Sequence, residues 1–374
     1  MLVLDEMDKL LMIPGPTPVQ REILDALGQP TISHTSARIA EIIRPCQDGI
    51  RDAAGTESAE IFLFGGAGTL AQEAAVVNVV APGETLVVAS NGFFGDRFVP
   101  LAEAYGIRAE RVAAEWGQSV TPAMLDAHLA GTNARAVTIT QVETSTGTMA
   151  PVAELAAVAK RHGALIIVDA VCALGGVETR MDDWGVDVLL SGAQKALGVP
   201  PGLAILAVSP AAMEIRRSRD RIPSYYADLL NWEPSMRDPQ VYFSTHAVNE
   251  FYALRAAVEI IATEGLANRF ARHERIARTF RAGMEALGFS PLTAPDYLAP
   301  TMSVLAIPEG TDAARLIAGI GARGVVVAGC LGDWKGRGLR FGHMGNITEA
   351  EVLRTLAAVE STVLEMTPEP AGRG

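Results

Sequence analysis

The sequence predicts an α/β protein in which a mostly parallel sheet lies between helices, followed by a smaller C-terminal α+β domain. From residue 60 onward, short apolar runs such as EIFLF, TLVVAS and ALIIVDA alternate with helical stretches. Such alternation is typical of parallel strands joined by crossover helices. The pattern changes near residue 245, where two helical segments, 246–264 and 266–287, follow each other without a strand. The length of 374 residues also favours more than one core.

The elements of the first part are predicted in a regular order. EIFLF predicts a strand and GTLAQEAAVVNVV a helix; TLVVAS and FGDRFVPLAEAYG repeat the pair. AVTITQ then predicts a strand, VAELAAVAKRHG a helix and ALIIVDA a strand, and DVLLS and LAILAVS close the series. The strands are continuous apolar runs because both faces of such a sheet are covered. Functional residues of these sheets gather at the carboxyl ends of the strands.

The C-terminal part predicts a compact α+β unit. It contains MSVLAIP, a helix from residue 312, VVVAG, GLRFGHMG and a last helix from residue 348. The glycine of TEGLAN, at position 265, is the predicted domain boundary. We therefore expect an N-terminal arm (1–18), a large domain (19–265), a small domain (266–366) and a disordered tail (367–374), because TPEPAGRG lacks periodicity.

Composition excludes several classes of protein. The formal net charge of -12 argues against a nucleic-acid-binding surface. The three cysteines show no CxxC spacing, which is typical of a reduced cytoplasm and not of a disulfide framework. The N-terminus has acidic residues and no basic segment of a signal peptide. The longest apolar run, 163–177, contains Asp169 and is too short to span a bilayer. We expect a soluble, cytoplasmic protein.

A glycine cluster, FGGAGTLAQEAA, follows one predicted strand and opens a helix. Gly66, Gly68 and Ala71 satisfy the spacing of a dinucleotide-binding fingerprint. That fingerprint also needs an acidic residue at the end of the next strand, which here ends VVASNG. The dinucleotide interpretation is therefore weakened. A single phosphate held by Gly68 and Thr69, or a purely structural turn, remain as alternatives.

Two charged residues follow apolar strands. Asp169 in LIIVDAV is costly to bury unless it is paired, although a strand-end Asp that caps a turn is common. Lys195, in the turn SGAQKALGVPPGLA, is either a solvated loop lysine or a nucleophilic amine. An anion-binding helix start, a buried Asp and a Lys after a strand together describe a site for pyridoxal 5'-phosphate. The phosphate would bind the helix start, the Asp would pair with the pyridine nitrogen and the Lys would form the Schiff base.

The chain also resembles the class V aminotransferases of fold type I, in particular the alanine–glyoxylate and serine–glyoxylate (serine–pyruvate) group. Eight segments carry the resemblance in the family's order and cover nearly the whole chain. They are IPGPTPV, ISHT, the glycine cluster followed by EAA, NGFFGDRF, ETSTG, VDAV, SGAQKALGVPPGLA and LRFGHMG.

The resemblance implies roles for single residues. Lys195 matches the catalytic Schiff-base lysine and Asp169 the partner of the pyridine nitrogen. The other cofactor-binding residues that it implies are Gly68, Thr69 and Gln194 at the phosphate, Phe94 stacked on the ring and Thr144 near the 3-oxygen of the ring.

Further residues are implied at the substrate and at a subunit interface. Arg340 matches the arginine that holds the substrate carboxylate, and Gly15 and His34 lie in segments that are near the substrate in the family. Tyr242 and Thr245 match residues that reach the phosphate from a second subunit. The resemblance thus implies a homodimer with shared active sites.

The activity that follows from the resemblance is transfer of an amino group from a small L-amino acid, alanine or serine, to glyoxylate or pyruvate by a ping-pong mechanism. The alternatives are a transaminase of another small amine (an aminophosphonate, ureidoglycine or pyridoxamine), a class V lyase or desulfurase, and a partner protein without activity. Cys330 lacks the small-residue context of a desulfurase cysteine, so a structural role is expected. The histidines show no metal-ligand spacing, so no metal is expected. Glu143, which directly precedes Thr144, has no assigned role.

Overall fold

The structure is a computed structural model that describes residues 6–366. The predicted disordered tail, 367–374, lies outside the described residues. Between residues 6 and 366, no helix is both long and apolar enough to cross a membrane.

The elements are numbered along the chain. The helices are α1 (Arg21–Leu27), α2 (Ile39–Ala54), α3 (Gly68–Val79), α4 (Phe93–Asp96), α5 (Phe98–Ala104), α6 (Pro122–Leu129), α7 (Val152–Arg161), α8 (Met181–Trp184), α9 (Pro210–Arg217), α10 (Leu229–Arg237), α11 (Val248–Glu264), α12 (Leu266–Ala286), α13 (Ala313–Ala322) and α14 (Glu349–Met366). The strands are β1 (Leu10–Leu11), β2 (Glu60–Gly65), β3 (Thr85–Ser90), β4 (Arg108–Ala113), β5 (Ala134–Thr140), β6 (Val142–Glu143), β7 (Thr148–Met149), β8 (Leu165–Asp169), β9 (Val188–Gly192), β10 (Leu203–Val208), β11 (Ser290–Pro291), β12 (Met302–Ala306), β13 (Val325–Val326), β14 (Ala328–Gly329) and β15 (Gly338–Gly342).

The main sheet has seven strands in the order β2-β10-β9-β8-β5-β3-β4. The pairs from β9 to β4 are parallel, whereas β10 is antiparallel to both of its neighbours, β2 and β9. Strands β3, β8, β9 and β10 are buried along their whole length. Burial on both faces is expected for a parallel sheet covered by helices. The predicted α/β class with a mostly parallel sheet is therefore confirmed.

Strand β4 is an element that the sequence does not predict. Its residues, RAERVA, are half-exposed or exposed except for Val112, and within residues 6–366 the strand pairs with β3 alone. It is the last strand of the sheet, and edge strands commonly carry charged side chains that discourage pairing with another chain. The charges hide the apolar pattern that identifies the central strands.

A second, antiparallel sheet has the order β11-β12-β15-β14. A separate buried cluster, which includes Phe280, Phe341 and Val359, packs beside this sheet. Leu10 and Met12 of the predicted arm belong to the same cluster, and β1 pairs in parallel with β13. The arm thus contacts the C-terminal part of the chain. The boundaries at 18 and 265 stay predictions.

The main sheet determines where the polar residues of the core meet. Strands β3, β5, β8 and β9 are parallel neighbours, so their carboxyl ends lie at one edge. The segment after β3 begins α4, β8 ends at Asp169, and the turn after β9 carries Lys195. The order of strands therefore collects residues that are far apart in the sequence at this edge.

Arg269 on α12 connects this edge to the C-terminal part. Its guanidinium is fully buried and donates to the carbonyls of Gly175 (2.9 Å) and Ala196 (2.7 Å). It also donates to Asn346 Oδ1 at 3.1 Å and to Glu264 Oε2 at 2.8 Å. Ala196 directly follows Lys195, so Arg269 holds the turn that carries this lysine.

We expect Arg269→Met to lower the free energy of unfolding by about 3 kcal/mol, because a buried charged network loses its cation. Urea unfolding followed by circular dichroism would measure the change. The matched control is Arg275→Met, whose partner Glu349 is also exposed, and its loss should be below about 1 kcal/mol. If both variants lose the same free energy of unfolding, the buried network around Arg269 stabilises the fold no more than an exposed ion pair does.

Candidate active site

A cavity of about 340 Å³ lies at the carboxyl edge of the main sheet. Eight of the residues predicted from the sequence line it: Gly15, Gly68, Thr69, Phe94, Thr144, Asp169, Gln194 and Lys195. These residues come from six separate segments of the chain. The fold therefore brings together most of the predicted site.

The N-terminus of α3 forms one wall of the cavity. Ala67 precedes the helix in an extended conformation and makes no side-chain cap, and Gly68 and Thr69 open the first turn. The first amides of a helix have no partner inside the helix and attract anions. A Cβ on Gly68 would lie 3.2 Å from Cγ2 of Val171, so a larger residue would crowd the cavity.

Asp169 lies at the end of β8 and is almost fully buried. Its Oδ1 accepts from the amide of Val171 (3.0 Å) and its Oδ2 from Nε2 of Gln72 (2.8 Å). Burial raises the pKa of this carboxyl group, and the two hydrogen bonds oppose the change. Oε1 of Gln72 and Oγ1 of Thr140, which also line the cavity, are buried without a partner among the described residues. A cationic, hydrogen-bonding ligand would satisfy these groups.

Lys195 projects from the turn after β9, and its Nζ donates to the carbonyl of Pro14. Burial lowers the pKa of the amine, and the nearby Arg340 charge acts in the same direction. Gly15 has a φ of +101°, and a Cβ at this position would lie 2.5 Å from Cδ of Lys195. Only glycine leaves room for the lysine here. A dry amine with a lowered pKa is suited to nucleophilic attack.

Phe94 and Arg97 extend from the segment that follows β3. Cζ of Arg97 lies 4.7 Å from the centre of the Phe94 ring, a cation–π contact. Nη1 of Arg97 donates to Oγ1 of Thr69 at 3.3 Å. The guanidinium therefore connects the aromatic wall of the cavity to the anion-binding helix start.

Arg340 lies on β15, outside the lining of the cavity but next to it. Its Nε donates to the carbonyl of Gly329 at 2.9 Å, and its Nη1 to the carbonyl of Thr144 at 3.4 Å. Burial lowers the pKa of the guanidinium, which nevertheless stays protonated because an arginine titrates far above neutral pH. A fixed cation thus flanks the cavity on the side of Thr144.

Three further predicted residues lie apart from the cavity that contains Lys195 within this chain. His34, Tyr242 and Thr245 are absent from the lining of the cavity. The rings of His34 and Tyr242 contact each other at 5.2 Å, and Tyr242 is 61% exposed. For Tyr242 and Thr245 the predicted contact is with the cofactor of a second subunit, and that contact stays a prediction.

Eight lining residues were not predicted from the sequence as site residues: Pro16, Ala67, Gln72, Arg97, Thr140, Val142, Val171 and Pro201. Spacing offers a signal for three of them. Gln72 is one helical turn after Gly68, Arg97 is three residues after Phe94, and Val171 is two residues after Asp169. Thr140 and Val142 lie at and after the end of β5 and have no comparable signal.

Cys330 and His343, which lie within ten residues of Arg340 in the sequence, are buried. Burial raises the pKa of the Cys330 thiol to about 11, so the nucleophilic thiolate is disfavoured. His343 contacts Oγ of Ser303 at 2.9 Å and packs against Phe280. Both environments fit structural roles.

The cavity has the features that a phosphorylated pyridine aldehyde requires. It offers the amides at the start of α3 for a phosphate, a buried carboxylate for a ring nitrogen, an aromatic ring for stacking and a desolvated amine for the aldehyde. The residues present therefore fit pyridoxal phosphate.

Comparison with known proteins agrees with this fit. The family described as "Aminotransferase class-V" matches residues 17–329. The chain belongs to the class V aminotransferases. It is an enzyme, and its cofactor is pyridoxal phosphate; the predicted family and cofactor are confirmed.

Individual relatives of this aminotransferase carry different names. The chain is 38% identical to the "Soluble hydrogenase, small subunit" of a Synechococcus species, over 96% of this chain and 93% of that protein. It is 33% identical to the L-aspartate–glyoxylate aminotransferase of Paracoccus denitrificans, over 95% and 91%. The crystal structure of an alanine–glyoxylate aminotransferase from Nostoc sp. superposes with a TM-score of 0.92 at 30% identity and covers 95% of both chains. The predicted fold type I is confirmed by this similarity.

We expect Arg97→Ala to weaken pyridoxal phosphate binding about tenfold, because the variant loses a charge-assisted hydrogen bond to Thr69 at the helix start where the phosphate is predicted to bind. A fluorescence titration of the cofactor-free aminotransferase would measure the dissociation constant. Binding of pyridoxal, which lacks the phosphate, should change much less. The control Arg161→Ala removes a side chain that is 61% exposed and should leave both constants unchanged. If Arg97→Ala weakens the binding of pyridoxal and of pyridoxal phosphate equally, Arg97 does not act at the phosphate.

Proposed function

We propose that this class V aminotransferase transfers the amino group of a small L-amino acid, alanine or serine, to a small 2-oxo acid, glyoxylate or pyruvate, in a ping-pong reaction. One observation carries the proposal. The desolvated amine of Lys195 shares a cavity with Asp169 and the start of α3, and Arg340 lies beside it.

The size of the cavity supports a small substrate. Its volume of about 340 Å³ is near the lower limit for ligand pockets, and the cofactor has to occupy part of it. Little space is left for a substrate side chain. Alanine and serine fit this restriction better than long or aromatic amino acids.

Arg340 is proposed to bind the substrate carboxylate. An arginine has five N–H donors in a planar fork. Within the described part of the chain, two N–H groups of Arg340 donate to the carbonyls of Gly329 and Thr144. The two carbonyls hold the guanidinium in one orientation. The remaining donors can pair with both oxygens of a carboxylate, a geometry that lysine cannot reproduce. Amino acids and oxo acids share this carboxylate, so one arginine serves both half-reactions.

Lys195 is proposed to bind the cofactor covalently and then to move the proton at the substrate Cα. When bound, pyridoxal phosphate supplies an electron sink for the electrons of the Cα–H bond. The carboxylate of Asp169 pairs with the pyridine nitrogen and keeps that nitrogen protonated. Phe94 stacks on the ring and keeps its plane fixed. The buried position of Lys195 excludes water and favours the neutral amine that accepts the proton.

The names of the relatives support glyoxylate as an acceptor and leave the donor open. The Paracoccus protein is named for aspartate and glyoxylate, and the Nostoc structure for alanine and glyoxylate. The desulfurase alternative is disfavoured, because burial of Cys330 opposes the thiolate that such chemistry needs.

We further propose a homodimer in which Tyr242 and Thr245 reach the phosphate of the other subunit. Both residues are exposed in the single chain and far along the sequence from the cavity residues. Tyr242 is exposed beside the exposed Val241, and aromatic side chains are enriched at protein–protein interfaces.

The deciding experiment is an absorption spectrum of the purified holoenzyme during addition of single amino acids. We expect L-alanine or L-serine to abolish the visible band of the lysine-bound cofactor, and glyoxylate or pyruvate to restore it. If only L-aspartate abolishes the band, the proposed donor class is wrong. If no amino acid does so, transamination itself is contradicted.

Lys195→Ala should bind pyridoxal phosphate without a covalent bond. After borohydride reduction, mass spectrometry of the wild-type chain should show the added mass of the reduced cofactor, and the variant should show none. Lys335→Ala, which removes an exposed amine, is the control and should be labelled like the wild type. Labelling of the Lys195→Ala chain would refute the assignment.

Arg340→Ala should raise KM about tenfold or more for the amino acid and for the oxo acid, because each loses a charge-assisted pair with its carboxylate. Steady-state kinetics with each substrate varied in turn would measure this. Arg315→Ala, at an exposed position on α13, should leave both constants unchanged. An increase for one substrate alone would be inconsistent with a shared carboxylate site.

A further inference from the structure

Glu143 is a buried carboxylate next to the cavity that has no role in the proposed reaction. It ends the short strand β6 and has no exposed surface. Its Oε1 accepts from the amide (2.9 Å) and the hydroxyl (2.6 Å) of Ser145. Its Oε2 accepts from the amides of Phe94 (3.1 Å) and Gly95 (2.9 Å). Both oxygens are therefore satisfied by donors from two separate segments.

These hydrogen bonds cap the helix that carries Phe94. Helix α4 has four residues, and its N-cap, Gly92, has no side chain to accept from the first amides. The Oγ of Ser145 accepts from the amide of Phe93 at 3.0 Å, while Glu143 accepts from the next two amides. Three consecutive amides of α4 are thus held by residues of another loop. Anchoring of this kind defines the position of α4 relative to that loop.

The two segments are packed without free space. A Cβ on Gly92 would lie 2.5 Å from Oγ of Ser145 and 2.9 Å from Cγ of Glu143. Gly92 also has a φ of +154°, which L side chains rarely adopt. The backbone before Phe94 can therefore lie directly against the carboxylate only because residue 92 is a glycine.

The same carboxylate is connected to two other parts of the site. Thr144, between Glu143 and Ser145, lines the cavity, and its carbonyl accepts from Nη1 of Arg340. Glu143 is thus the common attachment of the Phe94 segment and the Thr144 loop. A shift of the carboxylate would change the distance between the stacking ring and the residues opposite it.

We propose that Glu143 is a positioning residue that places Phe94 and Thr144 for contact with the ring of pyridoxal phosphate. This inference rests on the proposed function, because the contacts of Phe94 and Thr144 with the ring belong to that proposal. Glu143 acts through backbone amides and touches neither substrate nor cofactor. If Glu143 served stability alone, its substitution would weaken cofactor binding no more than the substitution of any other buried carboxylate.

The test is Glu143→Gln, which retains the size of the side chain. An amide has one acceptor oxygen, and its NH2 group would face N–H or O–H donors in place of an acceptor. We expect the dissociation constant for pyridoxal phosphate to rise about tenfold. The visible circular dichroism of the bound cofactor should change, and kcat should fall more than KM changes.

Asp187→Asn is the matched control. Asp187 is also buried, and its Oδ2 accepts from the backbone amide of Ile166 at 2.7 Å, but the residue lies outside the cavity lining. The control should bind the cofactor like the wild type and show the same dichroism. If the two variants lose affinity equally, the positioning role is refuted.

A double-mutant cycle identifies the path of the effect. If Glu143 acts through Phe94, then Glu143→Gln should weaken cofactor binding by less than about twofold in a Phe94→Ala background. If the loss of cofactor affinity in the double variant equals the product of the losses in the two single variants, the inference is overturned. Should Glu143→Gln fail to fold, Ser145→Ala removes the hydroxyl from the same network and retains the carboxylate. An unchanged dissociation constant and dichroism in Ser145→Ala would then count against the proposal.

The failure of this inference differs from the failure of the proposed function. If the wild-type chain forms no borohydride-reducible bond with pyridoxal phosphate, the proposed role of Lys195 is wrong. If the wild type binds the cofactor and Glu143→Gln binds it equally well with unchanged dichroism, only the positioning role is wrong.

Discussion

The removal of charged groups from water at the carboxyl edge of the sheet is the constraint on which the rest of the structure depends. Asp169, Lys195, Glu143 and Arg340 are all buried or largely buried within this region. A charge at any of these positions would be unstable without hydrogen bonds, since desolvation of a charge costs several kcal/mol. The surrounding backbone supplies those bonds: Pro14 accepts from Lys195, Gly329 from Arg340, and the amides of α4 donate to Glu143.

This arrangement separates residues that react from residues that hold them. Among the described residues, the amine of Lys195 donates to one backbone carbonyl, that of Pro14, and under the proposed function this amine is the reactive group. Glu143 and Arg269 have every charged atom engaged in the network that surrounds them. Rigid supports around a reactive group are what preorganised sites require, because misplacement by about 1 Å reduces the rate strongly.

Prediction from the sequence succeeded where a local pattern has one physical meaning. Apolar runs identified the buried strands β2, β3, β5, β8, β9 and β10, and Asp169 and Lys195 were singled out as charges next to such runs. It missed β4, since charged residues on an edge strand obscure the pattern. It also left Glu143 without a role, because its partners are backbone amides 48 and 49 residues away that leave no trace in residue types.

The sequence by itself determined the α/β class, the class V aminotransferase family and the candidates for the site, because segments such as SGAQKALGVPPGLA and LRFGHMG are specific in their order. Only the tertiary structure decided which candidates share one cavity and which, such as His34 and Tyr242, lie apart from Lys195 in the single chain. The physical reason is that strand order, and not distance along the chain, determines which strand ends are neighbours. Hydrogen bonds from backbone amides, which every residue type except proline provides, then determine how the side chains at those ends are oriented.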